Sequence, residues 1–172
     1  MEPTQSASDA IYAAITVDGD LRVGDHHQQT AGFRAMRQVH ADLGLLGRTT
    51  WFINEYDFQW TVYYRELLQD LLDSGEVLGI HDHFDTHFAD DEEDIFRIAK
   101  VSKRRLEQFL QKENSSRPVV IHRNGCALQS RAIYHVLKKL GYRILSDVRP
   151  ETEWSARMIP VKNTVMAWEC LI

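Results

Sequence analysis

Two cysteines in 172 residues, Cys126 and Cys170, are too few and too far apart for a disulfide framework. They read as free thiols, which points to a reducing compartment and a cytoplasmic protein. No apolar stretch approaches the roughly 18 residues of a membrane-spanning helix. The start MEPTQSASDA lacks the basic-then-apolar order of a signal peptide, so residues 1–10 read as a disordered tail ahead of one domain over residues 11–172. Positive charge is also short. Twenty Lys and Arg stand against 25 Asp and Glu, and a net charge of -5 gives no reason to expect nucleic acid or an anionic membrane as a partner. What remains is an ordinary globular composition, 44% hydrophobic and 26% charged, in a chain long enough to bury a core.

Short β-branched or aromatic runs alternate with amphipathic segments of helical period. Strands are predicted at residues 12–17, 49–54, 77–81, 119–123 and 142–146, with a sixth possible at 164–172. Helices are predicted at residues 30–43, 61–72, 92–111 and 129–140. Strand-helix repeats of this length give a parallel sheet, either open or closed into a barrel. In both cases the loops leaving the C-terminal strand ends build the site. The chemically loaded residues fall at those ends: Asp18 and Asp20, Asn54 and Glu55, the segment from His81 to His87, Arg123 and Asn124, and Asp147.

The densest of these groups is GIHDHFDTH, which places His81, His83 and His87 with Asp82 and Asp85 within seven residues. Imidazoles with a carboxylate are the ligands a borderline divalent metal such as zinc prefers. The spacing favours His81, leaving the strand, and His87, approaching the next helix. His83 would share a face with His87 only in a helix. In ITVDGD, one of Asp18 and Asp20 could be a ligand and the other a general base for bound water, although Asp-Gly-Asp is also an ordinary strand-ending turn. Arg123 leaves a strand where a half-buried guanidinium needs an anionic partner, such as a carboxylate across the barrel mouth. Trp51 could stack on a sugar, with core packing as the plainer reading.

Taken in order, ITVDGD, TTWFIN, SGEVLGIHDHFDTH, VVIHRNG and GYRILSDV resemble the polysaccharide deacetylase family (NodB-homology domain, carbohydrate esterase family four). Its motifs run TFDDG, ATFFV, GHEIGNHTxxH, FRPPYG and GYxxxxW. The resemblance covers about residues 11–148. It implies a distorted (β/α) barrel, incomplete at this length, with parallel strands. It also implies removal of an acetyl group from an amino sugar or related amide or ester with one divalent metal, most simply Zn2+, activating water. Residue by residue, Asp18 matches the catalytic base and Arg123 the arginine that orients it. The family's metal aspartate falls on Gly19, so Asp20 substitutes. His81 matches the first metal histidine, and Asp85 stands where the second belongs, so His87 is the expected substitute.

His83, Asn124 and Trp51 are the expected substrate contacts. The family's late general-acid motif has no counterpart here, which leaves His83 or His122 as candidates for that proton. The alternative is a degenerate deacetylase-like domain that binds a carbohydrate-like ligand without turning it over. An incomplete barrel leaves an apolar seam, so a homo-oligomer is expected, with residues 154–172 at the contact.

Overall fold

The computed structural model describes residues 14–20, 26–84, 91–125, 130–148 and 165–168. Six strands form one sheet in sequential order: β1 (Ile15–Gly19), β2 (Thr49–Ile53), β3 (Val77–Asp82), β4 (Ile121–Asn124), β5 (Ile144–Val148) and β6 (Val165–Trp168). Every neighbouring pair is parallel. The sheet curls into a half-barrel with β1 and β6 at its edges, so the expected incomplete α/β barrel is present. Because all strands run one way, their C-terminal ends share one rim.

The helical links are α1 (His26–Asp42), α2 (Glu55–Phe58), α3 (Trp60–Tyr63), α4 (Arg65–Asp73), α5 (Glu92–Lys112) and α6 (Arg131–Lys139). The start of α5 is chemically determined. Asp91 caps it by accepting from the Asp94 amide, and Glu92, Glu93 and Asp94 face the positive end of its dipole. Its stripe of Ile95, Ile98, Ala99, Leu106, Phe109 and Leu110 is buried, and the helix packs on β3, α2 and α6. Ser130 caps α6 in the same way, through the Ile133 amide.

Two expectations are corrected. The first helix, expected at residues 30–43, begins four residues earlier, at His26. The single helix expected over residues 61–72 is two pieces, α3 and α4, parted where Tyr64 leaves helical geometry, and a further short helix, α2, precedes them across Gln59, which is left-handed (φ 47°). Buried Glu55 stabilises the break by accepting from the Thr61 amide at 2.9 Å and from its hydroxyl at 2.7 Å. Burial pushes the Glu55 carboxyl upward, opposed by those two bonds and by the charge of Arg105. The break turns Trp60 into the core, where it is wholly buried.

At the opposite rim, the N-terminal strand ends are tied by a charge cluster. Glu76, fully buried, accepts from Arg37 Nη1 at 2.6 Å and from the Thr49 amide at 2.8 Å. Arg37 also reaches Asp70 at 3.1 Å and Ser74 at 2.5 Å. Truncating one partner of a buried pair leaves the other charge uncompensated. Arg37→Ala should therefore lower stability by about 3–5 kcal/mol, read as a fall in the urea unfolding midpoint. An unchanged midpoint would mean that Thr49 and solvent suffice for Glu76.

Candidate metal centre

The rim at the C-terminal strand ends gathers the candidate residues. Arg123 is 5% exposed and its guanidinium lies inside the curl of the sheet. It donates to Asp18 Oδ1 at 2.8 Å, to Thr16 Oγ1 at 3.0 Å and to Ser146 Oγ at 2.7 Å. Its carbon sits 4.2 Å from the Phe52 ring centroid, a cation-π contact in a poorly solvated place. Four contacts hold one planar group, so the direction in which it holds the Asp18 carboxylate is set.

Beside this pair, Asp20, His81 and His83 bring ligand atoms within 4.8 Å of one another. Asp20 Oδ2 lies 3.4 Å from Nε2 of each histidine, and the two rings meet edge to face at 4.7 Å. The reason is strand geometry. β3 continues through Asp82, so residues 81 and 83 stay on one face with period two, no helix being required. Asn54, fully buried, steadies the third member by reaching Asp20 Oδ1 at 3.4 Å and Asp57 at 3.0 Å. Sequence reasoning placed Asn54 at the rim without giving it this role.

Burial alone would raise the Asp20 carboxyl. The bond to His81, the charges of His81 and His83, and a bond from Asn54 bring it down to about 2. At His81 burial pulls the imidazole down, but the bond to Asp20 and the charges of Asp18, Asp20 and Asp82 leave it raised. An environment that retains a proton on His81 favours positive charge there generally. One carboxylate and two imidazoles form a donor set suited to a borderline divalent ion, with room in a tetrahedral shell for one more ligand. The residues present fit such a metal.

Two glycines are required by close approach. Trp60 Nε1 donates to Gly19 O at 2.8 Å, and a Cβ at position 19 would lie 2.8 Å from that ring and 3.0 Å from Phe52 O. No aspartate fits there on this backbone, which explains why the carboxylate sits one residue later, at Asp20. At Gly125 a Cβ would fall 2.4 Å from His83 Nδ1. Gly125→Ala must therefore push the His83 ring aside. Zinc affinity should drop about 10- to 100-fold, the scale of a misoriented ligand, measured by chelator competition with the fold checked by circular dichroism. Unaltered affinity would show that His83 is not needed.

Other expected residues lie elsewhere. Trp51 is 1% exposed and packs on Phe33 at 5.0 Å and His40 at 5.9 Å, so both ring faces belong to the core. Asn124 is 2% exposed and registers with Asp82, on the strand face opposite Arg123 and His81. His122 is fully buried on that same outer face, too far inside the molecule to protonate a leaving group. His87 and Asp85 lie outside the described residues, as do the Asp147 side chain and all side chains of residues 154–172.

Comparison with known proteins agrees with this architecture. A search of family models gives no match, and neither does one of curated protein sequences. Among solved structures, the chain is similar to a family 4 carbohydrate esterase from Streptomyces lividans in complex with acetate. The TM-score is 0.54 at 14% identity, over 78% of this chain and 61% of that one. It is also similar to a protein described as a polysaccharide deacetylase from Mycobacterium smegmatis, with a TM-score of 0.52 at 17% identity, over 78% of this chain and 50% of that one. The chain thus has the polysaccharide deacetylase fold and spans between half and three fifths of these neighbours. No described helix is long and apolar enough to cross a membrane.

Proposed function

We propose that this chain is a metal-dependent hydrolase of the deacetylase type, removing an acetyl group from an amino sugar or a related amide or ester. The observation that carries this reading is the junction of two units on one rim: the Asp20, His81 and His83 donor set and the Arg123-anchored Asp18. The acetate held by the S. lividans esterase supports acetyl as the acyl group.

In this reading Asp20, His81 and His83 hold one divalent cation, with zinc the best match to the donors. Such a metal, when bound, polarises the carbonyl oxygen and makes its water more acidic. Asp18 takes the proton from the attacking water. Arg123 keeps the Asp18 carboxylate pointed at that proton, and its bonds to Thr16 and Ser146 stop it from following the carboxylate outward.

The test is hydrolysis of an acetylated chromogenic ester and of an N-acetylated sugar, before and after a chelator, with zinc added back. Loss and recovery of turnover would support the reading. Turnover indifferent to chelator would defeat it, and metal-dependent ligand binding with no turnover would instead make the chain a carbohydrate-binding relative. Zinc should also raise the melting temperature, since binding to the folded state alone contributes about 2.7 kcal/mol at a hundredfold excess over Kd.

A further inference from the structure

Behind the candidate ligands lies a second polar cluster that the proposed reaction does not use. Asp82, between His81 and His83 in sequence, turns its side chain to the other face of β3 and is fully buried. Its Oδ1 accepts from Ser102 Oγ of α5 at 2.5 Å, and its Oδ2 lies 3.1 Å from His122 Nε2 of β4. The His122 ring stacks on Phe84 at 5.7 Å and 7°, and meets Tyr142 edge-on at 5.1 Å. Its Nδ1 has no hydrogen-bond partner among the described residues.

We propose that His122, with Asp82 and Ser102, is a positioning clamp for the metal-binding histidines, a proposal that rests on the metal reading above. His122 holds the residues on both sides of His83, Asp82 by a hydrogen bond and Phe84 by stacking. Gly125, three residues along from His122, forms the bed under the His83 ring. The strand is thereby pinned from behind at the point where its front carries two ligands aimed at one oxygen.

Energetics favour this role over simple stabilisation. Burying a carboxylate, a hydroxyl and an imidazole costs desolvation that a well-packed apolar trio would avoid, so such a cluster is weak evidence for added stability. What directional bonds supply is a fixed rotation of the strand about its axis. A strand free to twist by a few tens of degrees would swing both imidazoles away from Asp20. Partners behind the ligands commonly have this effect, and their loss weakens metal binding about 10- to 100-fold.

The experiment measures zinc affinity by chelator competition, and the absorption bands of bound Co2+, in the full chain. Asp82→Ala and His122→Phe should each bind zinc about 10- to 100-fold more weakly and shift the cobalt bands. Asp82→Asn keeps the shape without the charge, its amide oxygen still accepting from Ser102 and its NH2 donating to His122 Nε2 once that ring takes the tautomer protonated at Nδ1, and should bind within about threefold of the parent. Wild-type affinity in Asp82→Ala, with only the urea midpoint lowered, would reduce the cluster to a stability element and overturn the proposal. Asp82→Asn as weak as Asp82→Ala would also overturn it, by making the effect one of charge. Should those variants not fold, Ser102→Ala decides, with weakened zinc binding expected and unchanged binding refuting the clamp. A parent chain that binds no zinc would instead bring down the metal reading, and the clamp with it.

Discussion

Asp18→Asn is expected to bind zinc as the parent does while losing about 10²- to 10⁴-fold in turnover, the usual contribution of a general base. The amide keeps the shape of the carboxylate and its oxygen can still accept from Arg123, but it cannot take the proton of the attacking water. Because Asp18 is not among the three clustered ligands, metal content should be unaffected. Arg123→Lys makes a useful companion. Lysine retains the charge but cannot donate to Asp18, Thr16 and Ser146 from one planar group. Its effect should therefore fall on turnover more than on metal content. Zinc content lost together with activity in Asp18→Asn would move Asp18 into the ligand set and leave the base unassigned.

Much of the architecture was legible because it depends on local patterns. The β-branched runs, the acidic start of α5 and the position of chemically loaded residues after strands all survive without tertiary information. The same holds for Arg123 and Asp18. A guanidinium leaving the core needs an anion, and the first strand supplies one across the sheet.

What the sequence hid depends on where one strand ends. Read as stopping at His81, β3 hands His83 to a loop and leaves His87 as the natural second histidine. One more residue in the strand places His81 and His83 on the same face. An imidazole two residues after another at a strand end was the available signal, and its weight depended on a boundary that pattern reasoning places only to within a few residues. Gly19 was visible as a departure from the family motif, but its cause was not, because Trp60 reaches it through a helix break at Gln59. Trp51 and Asn124 were assigned to the substrate from residue type, and their burial follows from which strand face each occupies.

The ligand assignment itself yields the other large effect. Asp20→Asn, His81→Ala and His83→Ala should each lose bound zinc, by roughly two orders of magnitude in affinity or more, about 3 kcal/mol apiece. The size follows from ligand number. With three protein donors, each removal takes away about a third of the coordination the chain supplies. His81 should be the least forgiving, being only 3% exposed and so far from bulk solvent. Asp20 is more open, so water can substitute in part, and its loss should be the mildest of the three. His87→Ala belongs in the same series as the competing candidate. Retention of zinc in His87→Ala with loss in His83→Ala would support the strand-borne pair. The reverse would mean that the third donor comes from residues 85–90, and that His83 serves at the rim as a substrate or proton-transfer group instead.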